Sequence, residues 1–267
     1  MPAPTGPEPI ETIFIMNIGS QFRSIPPVTK NIIIINFIVW IVEMIIPRFG
    51  DVIINKLGLH LISADLFNPT QLITYMFVHS NSSIVHILFN MFTLFMFGPL
   101  LERVWGSRRY FVFYMVCGIG AALVQEAVWA LTWKHEFISA LGVANGYTFQ
   151  SMQAIVNEAI AEGNGQMLHF IADFKNEFVT VGASGAIFGL LLGFAFVFPN
   201  MPLYLFFIPI PIKAKYMVIG YAVIELYLGV SGGGTIAHFA HLGGMIFGLI
   251  LLLYWKKKGE LHGNGFY

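Results

Sequence analysis

Gly182-Ala183-Ser184-Gly185-Ala186-Ile187-Phe188-Gly189 opens an apolar run that continues to Phe198. A serine framed by glycines therefore stands where a membrane-crossing helix begins. Polar groups at membrane depth are rare, and their presence is a reason to look for function. Gly185, Gly189 and Gly193 recur every fourth residue, as do Gly244 and Gly248 near the end of the chain. Small residues at this spacing let two helix backbones approach closely inside a membrane. The stretch thus predicts both a helix and a neighbour for it.

The whole composition agrees with a membrane setting. Of 267 residues, 57% are hydrophobic and only 10% are charged, with a mean hydropathy of +0.73. That balance fits an all-α membrane protein and not a soluble domain. Lys+Arg and Asp+Glu each number 14, so no basic excess points to nucleic acid. The single Cys117 excludes an internal disulfide. Residues 1–12 hold four prolines and two acids with no basic start, so they do not read as a cleavable signal peptide.

Measured against the ~20 residues needed to cross a bilayer, six spans are expected. They cover residues 31–46, 82–101, 109–131, 181–198, 213–230 and 237–255. Residues 1–30 and 256–267 remain as tails. Ten of the 14 basic residues fall on one side of this arrangement, among them Arg103, Arg108, Arg109 and Lys256 to Lys258. Such a bias puts both termini in the cytoplasm. The two outer loops, 47–81 and 132–180, are long. Within the second, Phe149, Met152, Ile155, Val156, Ala159 and Ile160 form an apolar stripe at helical spacing. An amphipathic helix is expected there, lying on the membrane or packed on the bundle, with a structural insertion as the simpler reading.

Topology then brings polar residues to one level. The second, fourth and sixth spans run in the same direction. His86, Ser184 and His241 lie three or four residues from their starts, so at 1.5 Å per residue all three sit roughly 5–6 Å below one face. Nucleophilic hydrolysis needs a hydroxyl, a base and donors for the oxyanion. Ser184 offers the hydroxyl and His241 the base. His86 and Asn90, four apart, share a helix face and present side-chain donors.

Each residue also has a plainer reading. A membrane serine commonly bonds its own backbone, GxxxG commonly means packing, and His86 with Asn90 commonly means helix–helix glue. His238 and His241 would also suit a metal, with His79 or His86 added. However, no HExxH occurs, and Asp51, Asp65 and Asp173 all fall in loops. The last point excludes a membrane aspartyl protease. Glu43, Glu126 and Glu225 are scattered over three spans and read as buried pairs more simply than as a proton path.

In sum these motifs resemble the rhomboid intramembrane serine proteases. The resemblance rests on Gly182-Ala183-Ser184-Gly185, Ala240-His241-x-x-Gly244-x-x-x-Gly248, His86-x-x-x-Asn90 and Glu102-x-x-x-Gly106, over residues 30–255. It implies a six-helix rhomboid-like bundle over residues 31–255. Ser184 and His241 would act as a dyad with no third acid, and His86 and Asn90 would form the oxyanion hole. Gly182, Gly185, Phe188 and Gly244 would support the site. Phe188 stands where the family commonly has a tyrosine stacked on the histidine. No cofactor and no metal are implied, and the partners are the lipid bilayer and transmembrane protein substrates. An integral protein of a bacterial cytoplasmic membrane is expected. Two other classes compete: an inactive relative that binds membrane proteins, and a transporter, which would show repeated halves.

Overall fold

The computed structural model describes residues 24–45, 47–80, 84–204, 211–232 and 237–261. The two expected tails therefore lie largely outside the described residues. All six apolar runs are helical: α1 (Pro27–Ile45), α4 (Ile84–Trp105), α5 (Ser107–Asn145), α8 (Ser184–Val197), α9 (Ala214–Ser231) and α10 (His238–Lys257). Five of these are long and apolar enough to cross a membrane. The exception is α8, whose 14 residues span about 21 Å, short of the ~30 Å hydrocarbon layer. It is the most enclosed of the six, with Ala186, Leu190 and Phe194 at most 1% exposed. The chain is an all-α membrane bundle built around this short central helix.

The glycine ridges explain the packing. A Cβ on Gly244 would collide with the Gly185 carbonyl oxygen, and one on Gly189 would stand 2.9 Å from the Gly244 carbonyl. Cys117 of α5 fills the third side, with its Sγ 3.1 Å from where a Gly248 Cβ would lie. Helices α5, α8 and α10 thus meet nearly backbone to backbone, as small residues permit.

Several boundaries differ from expectation. Helix α1 begins at Pro27, because proline is tolerated in a first helical turn, and α10 runs on to Lys257. The supposed loop from 132 is in fact the continuation of α5, which at 39 residues reaches about 58 Å. Two further helices, α6 (Phe149–Ala161) and α7 (Gly165–Asn176), pack on that extension. They enclose a small second core of Phe137, Ile138, Met152, Val156 and Ile171. The amphipathic helix is present, but Ile155 and Ile160 are 40% and 39% exposed. Between α8 and α9 a short antiparallel ribbon, β3 (Pro202–Tyr204) with β4 (Pro211–Lys213), replaces a plain loop.

The first long connection supports the serine directly. After α2 (Pro47–Leu57), strand β1 (Leu59–His60) pairs antiparallel with β2 (Val179–Thr180), just ahead of the glycine-framed serine. Helix α3 (Gln71–Thr74) and a 3₁₀ turn (Tyr75–Phe77) follow. At the opposite end of the bundle, Glu102 accepts bonds from Val28 N, Thr29 N, Thr29 Oγ1 and Ser107 Oγ at 2.7–3.0 Å. Gly106, at φ +77°, turns the chain between α4 and α5. Glu102 and Gly106 are thus structural ties, far along α4 from His86.

Candidate active site

The turn into α8 is fixed from two sides. Gly182 N donates to Tyr75 O at 2.9 Å, while Tyr75 Oη donates to Gly118 O at 2.7 Å. Gly182 holds φ +123°, a conformation natural to glycine alone. It also has no room for a side chain, since a Cβ would stand 2.9 Å from the His86 ring and 3.7 Å from Asn90 Nδ2. Ser184 is then the first residue of α8, where helix geometry leaves the leading N–H groups without intrahelical partners. The positive end of the helix dipole faces the same place.

His241 is the fourth residue of α10. Its Nε2 lies 2.8 Å from Ser184 Oγ, which is hydrogen-bond distance between a hydroxyl and a base. Phe188, one turn along α8 from Ser184, stacks on the imidazole with centroids 4.2 Å apart and planes 6° from parallel. The hydroxyl bond and the stack together leave the ring one orientation.

His86 and Asn90 line the other flank of the Gly182 turn. Asn90 is 6% exposed, and its Nδ2 lies 3.0 Å from His79 Nε2. The His79 and His86 rings sit 5.1 Å apart. Burial, and then the neighbouring His86, push the His79 pKa down to about 3, so His79 is neutral near pH 7. Its Nε2 accepts from the Asn90 amide, and the second amide hydrogen of Asn90 stays available. His79 had drawn notice only as a possible metal ligand. Its bond to Asn90 reaches from helix α4 back 11 positions to the connection before it, a contact that periodicity does not reveal.

Glu225 of α9 reaches both α10 histidines: its Oε2 lies 2.6 Å from His238 Nδ1 and 3.0 Å from His241 Nδ1. The first contact is a directed hydrogen bond. The second has ion-pair distance, but its N–H direction is off the line to the oxygen. The three side chains are 5–13% exposed. Glu225 had been read simply as a buried paired acid. The available signal was its place in α9, antiparallel to α10 and joined to it by a short connection.

Those three residues are also the group whose ligand atoms come within 4.8 Å of one another. Two ligands held at ~2.1 Å around tetrahedral zinc stand roughly 3.3 Å apart. The 2.6 Å contact is closer than that and suits a shared proton, not two ligands of one ion. His79 and His86 do not join this group, because His79 is bonded to Asn90.

Comparison with known proteins gives the family of the chain. Residues 67–258 match the family model of the Rhomboid domain. The mitochondrial Rhomboid protein 1 of Saccharomyces cerevisiae is 25% identical over 181 residues, covering 68% of this chain and 41% of that protein. RHOMBOID-like protein 4 of Arabidopsis thaliana is 26% identical over 172 residues, covering 64% and 30%. The chain therefore spans well under half the length of either relative. Both relatives are eukaryotic and lend no support to the expected bacterial membrane.

Proposed function

This chain belongs to the rhomboid family, and from that premise we propose that it is a serine endopeptidase cutting transmembrane segments within the membrane. The observation that carries the reading is the 2.8 Å contact between His241 Nε2 and Ser184 Oγ at the mouth of a short, buried helix. Ser184 Oγ attacks the peptide carbonyl as His241 Nε2 takes the hydroxyl proton. The carbonyl oxygen becomes an oxyanion. His86, Asn90 and the first N–H groups of α8 are the donors within reach of that place. His241 then gives its proton to the leaving amine, and the C–N bond breaks to leave an ester on Ser184. Water, activated by the same imidazole, hydrolyses the ester and restores the enzyme.

Side chains, backbone N–H groups and water suffice for this sequence of steps, with no cofactor. The substrate is a single transmembrane segment that unwinds locally near one membrane face, because a helical peptide bond is shielded by its own side chains and hydrogen bonds. The bias of basic residues supports placing both termini on the cytoplasmic side, with Ser184 near the opposite face. No nucleic-acid partner belongs to this reading.

The test is cleavage of a fluorescent transmembrane substrate by purified protein in detergent or liposomes. Wild type is expected to cleave, and Ser184→Ala and His241→Ala to lose activity by on the order of 10⁴-fold or more. Uncleaved substrate that still binds wild type would favour a binding factor over a protease. Undiminished cleavage by Ser184→Ala would place the nucleophile elsewhere.

A further inference from the structure

The Ser–His pair accounts for one nitrogen of His241 and leaves the other. For Nε2 to accept the serine proton, the neutral imidazole must carry its own proton on Nδ1. That Nδ1 is buried, and 3.0 Å away stands Glu225 Oε2. A buried carboxylate needs partners of its own, and His238 supplies one, at 2.6 Å to the same oxygen. An ionised carboxylate only accepts hydrogen bonds, so His238 Nδ1 meets it as a donor, and the proton on His241 Nδ1 lies beside a negative charge.

We infer that Glu225 is a positioning residue for His241, so that the hydrolytic group is Ser184–His241–Glu225, with His238 steadying the acid. The inference rests on the protease reading above and extends it. Three features separate it from a chance buried pair. The acid comes from α9, a different helix from the base, so the contact depends on the fold and not on local sequence. The ring is fixed face-on by Phe188, with Nδ1 held 3.0 Å from Glu225 Oε2. His238, 5% exposed, bonds the same carboxylate oxygen at 2.6 Å, so the acid is held from a second side.

The role follows from proton accounting. As Ser184 attacks, the proton moves to Nε2 and His241 becomes a cation buried beside Glu225. The carboxylate offsets that charge and keeps the proton on Nδ1 throughout; it takes up no proton itself. When Nε2 gives its proton to the amine, the neutral ring returns with the same tautomer. Without the acid, the ring is free to place its resting proton on Nε2, where it cannot serve as base. In the resting geometry the Nδ1–H direction lies well off the line to Oε2, so at 3.0 Å the carboxylate acts on the ring chiefly through charge once the imidazole is protonated.

Glu225→Gln keeps the shape of the side chain and removes the charge. With a fluorescent transmembrane substrate, kcat is expected to fall about 10²-fold with KM changed less than about three-fold. Glu225→Asp should recover part of that loss. The rate of fluorophosphonate labelling at Ser184 should fall in parallel, since it needs the base but no peptide substrate. A downfield imidazole N–H proton resonance in the wild type, absent from Glu225→Gln, would report the bond itself. Thermal stability in the same detergent separates misfolding from lost positioning, and His238→Gln, which loosens the acid without removing it, should cost about ten-fold. Wild-type kcat and labelling in a folded Glu225→Gln protein would overturn the inference and leave the protease reading intact. A wild type that neither cleaves nor labels would overturn both.

Discussion

The two flanks of Ser184 are built differently. On the base flank, each contact to His241 comes from another helix: Ser184 and Phe188 from α8, Glu225 from α9. On the oxyanion flank, His86 and Asn90 share one helix and lean on His79, which precedes it in the chain. The base flank is held by the bundle itself. The oxyanion flank is held by a connection between α3 and α4, through neutral, buried imidazole. A proton on His79 would therefore disturb one flank and leave the other in place.

The largest effect expected from that contrast is on the oxyanion flank. Asn90→Ala removes a donor and leaves His79 Nε2 unpaired, so kcat should drop roughly 10²- to 10³-fold, with KM little changed, in steady-state assays. A rise in KM with kcat unchanged would mean that Asn90 holds substrate and not the oxyanion. A smaller effect is expected from pH. His79 carries a folded-state pKa pushed down to about 3 from an ordinary 6.5, so below pH 6.5 the unfolded chain binds the proton that the folded chain refuses. Stability is full above pH 6.5 and falls as pH drops toward 3, by roughly 2 kcal/mol between pH 6.5 and 5. Thermal unfolding across that range checks it, and His79→Gln should flatten the slope. The smallest effect belongs to the base flank. Phe188→Leu keeps apolar volume but loses the ring-on-ring contact, worth about 1 kcal/mol, so kcat should fall roughly five-fold. An unchanged kcat would show that Ser184 and Glu225 orient the imidazole without the stack.

Much of this was legible in the sequence. Hydropathy locates the helices of the bundle, and a shared direction puts His86, Ser184 and His241 at one level from the sequence alone. The glycine spacing foretold the α8–α10 seam, now seen in Gly244 lying directly against the Gly185 carbonyl. Glu225 escaped because the depth comparison was made only among spans running the same way. Applied to the antiparallel α9, it would have put a carboxylate beside the histidines. The α5 extension is hidden for a different reason: Lys134, His135 and Glu136 interrupt its apolar run, while Phe137 and Ile138 turn to the small helices α6 and α7, so hydropathy falls while helicity continues. His79 was hidden because its partner, Asn90, is met through loop geometry, for which no periodic signal exists.

The central claim is that Ser184 is a nucleophile activated by His241. Its most direct measurement is reaction of the purified membrane protein with a fluorophosphonate, followed by peptide mass mapping of the adduct. The account predicts a single adduct on Ser184, lost in Ser184→Ala and nearly absent in His241→Ala. A folded wild type that carries no adduct on Ser184, or labelling that persists unchanged in His241→Ala, would contradict it.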